Sequence, residues 1–92
     1  EITIAFSESV EKISATALNH YWLTKEFGNP IDFEYSDDSI VSLFFEKEFE
    51  VKKAYSLEIE KVKDLAGNAI FDTIIHFKVI YFIKHLKKLI IQ

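Results

Sequence analysis

Apolar and polar residues alternate with a period of two along most of this chain. Ile2, Ile4 and Phe6 alternate with Thr3, Ala5 and Ser7, which predicts a first strand with one buried face. Ile31, Phe33 and Tyr35 alternate with acids. In "SIVSLFFEKEFEV", Val41, Leu43 and Phe45 share one face, Ser42 and Phe44 take the other, and Phe49 ends or staples the unit. "AYSLEIEKV" points Tyr55, Leu57 and Ile59 inward and Ser56, Glu58 and Glu60 outward. "IFDTIIHFKV" puts Phe71, Thr73, Ile75, Phe77 and Val79 on one face and His76 and Lys78 on the other.

Breakers separate these runs: Gly28-Asn29-Pro30, Asp37-Asp38 and Gly67-Asn68, residues that reverse the chain by their φ preferences and local hydrogen bonds. "SVEKISATALNHYWLTK" is less regular. Ser14 is predicted to cap a single helical turn through Leu18, after which "HYWLTK" extends. Short strands at this spacing predict an all-β fold, an antiparallel sandwich of about seven strands. Phe6, Leu43, Leu57, Ile59, Ile75 and Phe77 are expected to share its core.

The end of the chain departs from the pattern. In "VIYFIKHLKKLIIQ", Val79, Phe82, Ile83, Leu86, Leu89 and Ile90 recur at helical spacing, with Lys84, His85, Lys87 and Lys88 opposite. The chain is therefore divided into a sandwich over residues 1–79 and a basic amphipathic tail over 80–92. The tail reads as an interfacial helix, as a packing element for another domain, or as a segment foreign to the module. Protein contact, including self-association, is the favoured reading, and the tail is expected to be dispensable for the sandwich.

Size and charge narrow the function. The 92 residues suffice for one domain. Fifteen carboxylates oppose eleven basic residues, all of them lysine, so the body repels nucleic acid and lacks the bidentate fork that phosphate sites favour. The chain has no cysteine, which removes thiol nucleophiles, disulfides and thiolate metal sites together. No run approaches the roughly 18 apolar residues of a membrane-spanning helix. The opening "EITIAF" has neither Met nor a leader pattern, as expected of a processed chain or an excised domain.

"ITIAFSESV", "ALNHYWL" and "YSLEIEKVKDLAGNAI" occur in the order characteristic of bacterial Ig-like domains, and the chain resembles the modules of S-layer and multidomain bacterial surface proteins. Such modules open on a strand ending in Phe-Ser-Glu-Pro-Val, continue through an Asn-Tyr strand, and close with Tyr-x-Leu running into Val-x-Asp-x-Ala-Gly-Asn. The resemblance covers Ile2 to Val79 and is strongest over Val62 to Asn68. Ser9 stands where the family often has Pro, and the tail matches nothing in the pattern. The resemblance implies a non-enzymatic spacer or interaction module, extracellular or on the cell surface, with neighbouring domains or other surface proteins as partners, possessing neither catalytic residues nor a cofactor.

Three places carry candidate chemistry. Trp22, with Tyr21 beside it, is a candidate ring platform for a glycan; alternation turns Tyr21 inward and Trp22 outward or into a groove. "KVKDLAGNAIFDT" combines Asp64, Gly67, Asn68 and Asp72. As a cation site it offers few side-chain oxygens. As a turn, Asp64 bonds nearby N–H groups, Gly67 supplies a positive φ, and Asn68 tolerates the left-handed region. His20, His76 and His85 lie in separate elements, without metal-ligand spacing, and the acids at Asp37, Asp38, Glu46, Glu48 and Glu50 read as a solvated turn and edge.

Overall fold

The computed structural model describes residues 1–24, 26–50, 52–70, 72–78 and the backbone of 89–91. The alternating runs form strands β1 (Ile2–Ala5), β2 (Tyr21–Leu23), β3 (Asp32–Asp37), β4 (Ile40–Phe44), β5 (Ala54–Ile59) and β6 (Thr73–Lys78), followed by β7 (Leu89–Ile91). A single helical turn, α1 (Lys12–Ala15), and a 3-10 turn at Leu18–His20 lie between β1 and β2. One sheet has the order β3-β4-β1-β7 and the other β2-β5-β6. Each sheet turns one face inward, and the two inward faces enclose a common core, the two-layer solution for strands of this periodicity.

The register sets the core. Ile2 lies opposite Leu43 and Ile4 opposite Val41 in the first sheet; Tyr21 lies opposite Ile59 and Leu23 opposite Leu57 in the second. All eight side chains are buried, together with Tyr55 and with Val10, Ala15 and Val62 from the connections. Phe6, Ile75 and Phe77 pack against them from partly buried positions, so the six residues expected to share a core do so. Their pattern is strongest in β5, where Tyr55, Leu57 and Ile59 are buried and Glu58 is exposed.

Several local expectations change. Ser14 does not cap the helical turn: the N-cap position is Glu11, and Ser14 is buried inside the turn, where its Oγ accepts a hydrogen bond from Lys63 N at 2.9 Å. β3 alternates correctly but forms a sheet edge, so Ile31 and Phe33 remain 61% and 38% exposed. Ser42, on the face opposite Val41 and Leu43, is buried as well, its hydroxyl 2.9 Å from that of Thr3 on the neighbouring strand. Thr73 is exposed, and Phe71 and Val79 lie outside the described residues.

The helical spacing of the tail does not describe its end. Leu89–Ile91 form β7, paired in parallel with Ile2–Ile4 of β1. A strand needs only a free row of backbone donors and acceptors, and the outer edge of β1 offers one. The remainder of that predicted helix, with His85, lies outside the described residues.

Candidate functional site

The outer face of the β2-β5-β6 sheet collects the exposed chemistry. Alternation in β2 buries Tyr21 and Leu23 and turns Trp22 outward, where it is 43% exposed. Its cross-strand partner is Glu58, and the partner of Glu58 on β6 is Ile74, itself 53% exposed. Directly paired positions on one face bring Cβ atoms within roughly 4.5–5.5 Å, so a ring, a carboxylate and an aliphatic chain form one row across three strands. Glu60 continues the Glu58 face beyond β5, and its N–H donates to His20 O at 2.9 Å.

Two shallow cavities lie along this row. The first, about 240 Å³, is lined by Asn19, His20, Tyr21, Trp22, Asn29, Glu58 and Glu60. The second, about 500 Å³, continues over Glu58 and Glu60 to Asp72, Thr73 and Ile74. Tyr21 is fully buried and its hydroxyl donates to Ala15 O at 2.6 Å; burial pushes its phenol well above the ordinary value. The aromatic platform is thus Trp22 alone. Asn29 donates its Nδ2 to Tyr21 O at 2.6 Å, and its Oδ1 remains an acceptor. His20 Nδ1 lies 2.8 Å from Ser14 O; since a carbonyl only accepts, Nδ1 is the donor.

The segment from Lys61 to Thr73 is a compact hairpin-like excursion between β5 and β6. Asn68 N donates to Asp64 Oδ1 at 2.8 Å, Gly67 N to Asp64 O at 3.0 Å, and Asp64 N to Asn68 O at 2.8 Å. Gly67 has φ +87°, as turn chemistry requires, whereas Asn68 does not use the left-handed region. Asp72 Oδ1 accepts from Lys61 N at 3.3 Å. Both oxygens of Asp64 and Oδ1 of Asp72 are engaged in closing the loop, and among the described residues no group of three or more His, Asp or Glu is placed to hold a metal. This loop also ties to the other end of the chain, for Glu11 N donates to Lys63 O at 2.8 Å and Val10 bridges to Asp64.

The remaining candidates are dispersed. His76 is exposed on β6, with Nδ1 2.8 Å from Ser56 Oγ, whereas His20 ends the 3-10 turn before β2. Asp37 accepts from Ser39 N at 2.8 Å and from Ser39 Oγ at 3.0 Å, which holds its carboxyl below the ordinary range and closes the β3–β4 turn. Glu50 pairs with Lys53 at 3.3 Å, and Lys53 also bonds Glu26 at 2.6 Å. Sequence reasoning found Trp22 but not its neighbours. The outward alternation of Glu58 was legible, yet only strand register shows that it stands beside the ring.

A two-sheet sandwich in which every strand pair but β1–β7 is antiparallel has the architecture of the Ig-like class. The chain belongs to the bacterial Ig-like domain family, whose model matches residues 1–79. Domains of this family are generally non-catalytic and typical of bacterial surface or extracellular proteins. No curated protein and no solved structure matches this chain. Among the described residues no helix is long and apolar enough to cross a membrane.

Proposed function

We propose that this domain is a non-enzymatic structural spacer or protein-interaction module of a bacterial cell-surface or secreted protein, with neighbouring domains or other surface proteins as its partners. One observation carries the reading: the polar side chains nearest the core act as ties between distant stretches of backbone. Tyr35 Oη donates to Val10 O at 2.8 Å, Tyr21 Oη to Ala15 O at 2.6 Å, and Ser14 Oγ receives Lys63 N across 49 residues of chain. Groups so engaged hold the connections to the sandwich. Family membership supports the same role.

The test is mechanical and cellular. A tandem array of the domain, pulled in single-molecule force spectroscopy, is expected to unfold in one cooperative event per copy, and antibody raised against the domain is expected to label intact producing cells. Gradual extension without discrete events would defeat the spacer role, and labelling confined to lysed cells would defeat the surface location.

A further inference from the structure

Beside the donors of the Trp22 indole and the Asn19 amide, the Trp22 row carries a group of acceptors, two of them carboxylates. Glu58 and Glu60 have no hydrogen bond or ion pair to other described side chains, and Asn29 keeps Oδ1 as an acceptor. The row carries two carboxylates on a body of net negative charge, so an anionic ligand is repelled and a donor-rich one is attracted. The half-exposed indole adds a flat apolar face, which suits the C–H face of a pyranose ring. From these three properties together we infer that the face binds an amine-bearing sugar, with the ring lying on Trp22 and its hydroxyl and ammonium protons donated to Glu58, Glu60 and Asn29 Oδ1.

The size of the site sets the length of the ligand. The cavity at Trp22, about 240 Å³, is smaller than the roughly 300–1,000 Å³ of drug-sized ligand sites and suits one ring. The adjoining cavity of about 500 Å³ shares Glu58 and Glu60 and brings in Asp72 and Ile74. A second ring placed there meets another carboxylate and another apolar surface, so an oligosaccharide is favoured over a monosaccharide. This binding goes beyond the spacer role and does not depend on it.

Trp22 is the only tryptophan of the chain, which makes its fluorescence a direct reporter of the site. Titration of the intact chain with chitosan oligosaccharide is expected to shift that emission saturably, with the N-acetylated oligosaccharide binding at least about tenfold more weakly, a difference of about 1.4 kcal/mol. An oligouronate and choline chloride are expected to leave the emission unchanged; response to choline would reduce the site to a cation–ring contact and overturn the sugar assignment. Glu58→Gln combined with Glu60→Gln should abolish the preference for the amine form while retaining the native fold by circular dichroism. Trp22→Ala, followed by calorimetry, should lose at least about tenfold in affinity. The inference fails if chitosan oligosaccharide does not bind, if the double glutamine variant keeps the preference, or if the uronate binds more tightly.

Discussion

The two ends of the sandwich are held together by different physics. At one end, where β4 and β6 finish and β5 begins, five rings interlock: Phe49 stacks on Phe27 at 5.2 Å between centroids and meets Tyr55 edge-on at 5.0 Å, while Tyr55 stacks on Phe77 at 5.6 Å. Phe45 joins edge-on to Phe27 and Phe49. At the other end, where β2 and β6 begin and β5 finishes, single hydroxyls and amides bind named carbonyls, as in Tyr21 to Ala15 and Tyr35 to Val10. The burial that drives ring packing is non-directional and scales with area, and the stacked and edge-on preference of ring pairs adds a smaller contribution. A hydrogen-bonded tie depends on one atom in one place, and losing it strands its partner. The first end should therefore tolerate changes of shape that conserve volume, and the second should not.

The centre, common to both ends, should show the largest effect. Leu57 lies between Leu23 and Ile75 and is fully buried, so Leu57→Ala is expected to cost roughly 2–5 kcal/mol in denaturant titration. Exposed Glu58→Ala should cost far less; the reverse order would mean that β5 is out of register by one residue. Phe49→Ala is expected to cost roughly 2–3 kcal/mol, below the range for a fully buried ring because Phe49 is only partly buried. Phe49→Leu should recover most of that loss, and failure to do so would give the ring end the same specificity as the bonded end.

Gly67→Val tests the bonded end through its loop. No atom lies within 4 Å of the position a Cβ would take, so the cost comes from backbone strain at φ +87° alone. It is expected at roughly 1–3 kcal/mol, with Gly67→Asn milder because Asn enters the left-handed region more readily. Equal melting temperatures for the two variants would remove the strain argument.

Tyr21→Phe conserves the ring and deletes the tie to Ala15, and is expected to cost roughly 0.5–1.5 kcal/mol. It should also change the pH dependence. Burial raises the Tyr21 phenol above its unfolded value, so its contribution to stability is complete below about pH 10 and declines as pH rises beyond that toward the folded value. The phenylalanine variant should lose less stability than the parent above pH 10. Parallel alkaline curves for the two proteins would show that Tyr21 ionises as freely folded as unfolded.

Removing the chain after Val79 should affect association more than stability. The pairing of β7 with β1 means that truncation uncovers a row of unpaired backbone groups, and exposed edges recruit other chains. Sedimentation should show the shortened chain self-associating more. A more monomeric product would restore the reading in which the tail itself drives association.

What the sequence determined by itself was everything governed by local chemistry. The period of two fixed the strands and the inward faces of Tyr55, Leu57 and Ile59; Gly67 fixed a turn because other residues resist a positive φ; the alternation about Tyr21 fixed Trp22 as outward. The tertiary structure decided whatever depends on which strands become neighbours. β3 and β4 alternate alike, yet Phe33 is exposed and Leu43 buried, because β3 is an edge and β4 lies between two strands. Ser14 has the chemistry of a cap, but Lys63 arrives from far along the chain and takes its hydroxyl. Leu89–Ile91 carry helical spacing and still form a strand, since a free edge on β1 satisfies their backbone. The groove beside Trp22 is of the same kind: Glu58 sits 36 positions further along the sequence, and only the β2–β5 register brings its carboxylate to the ring.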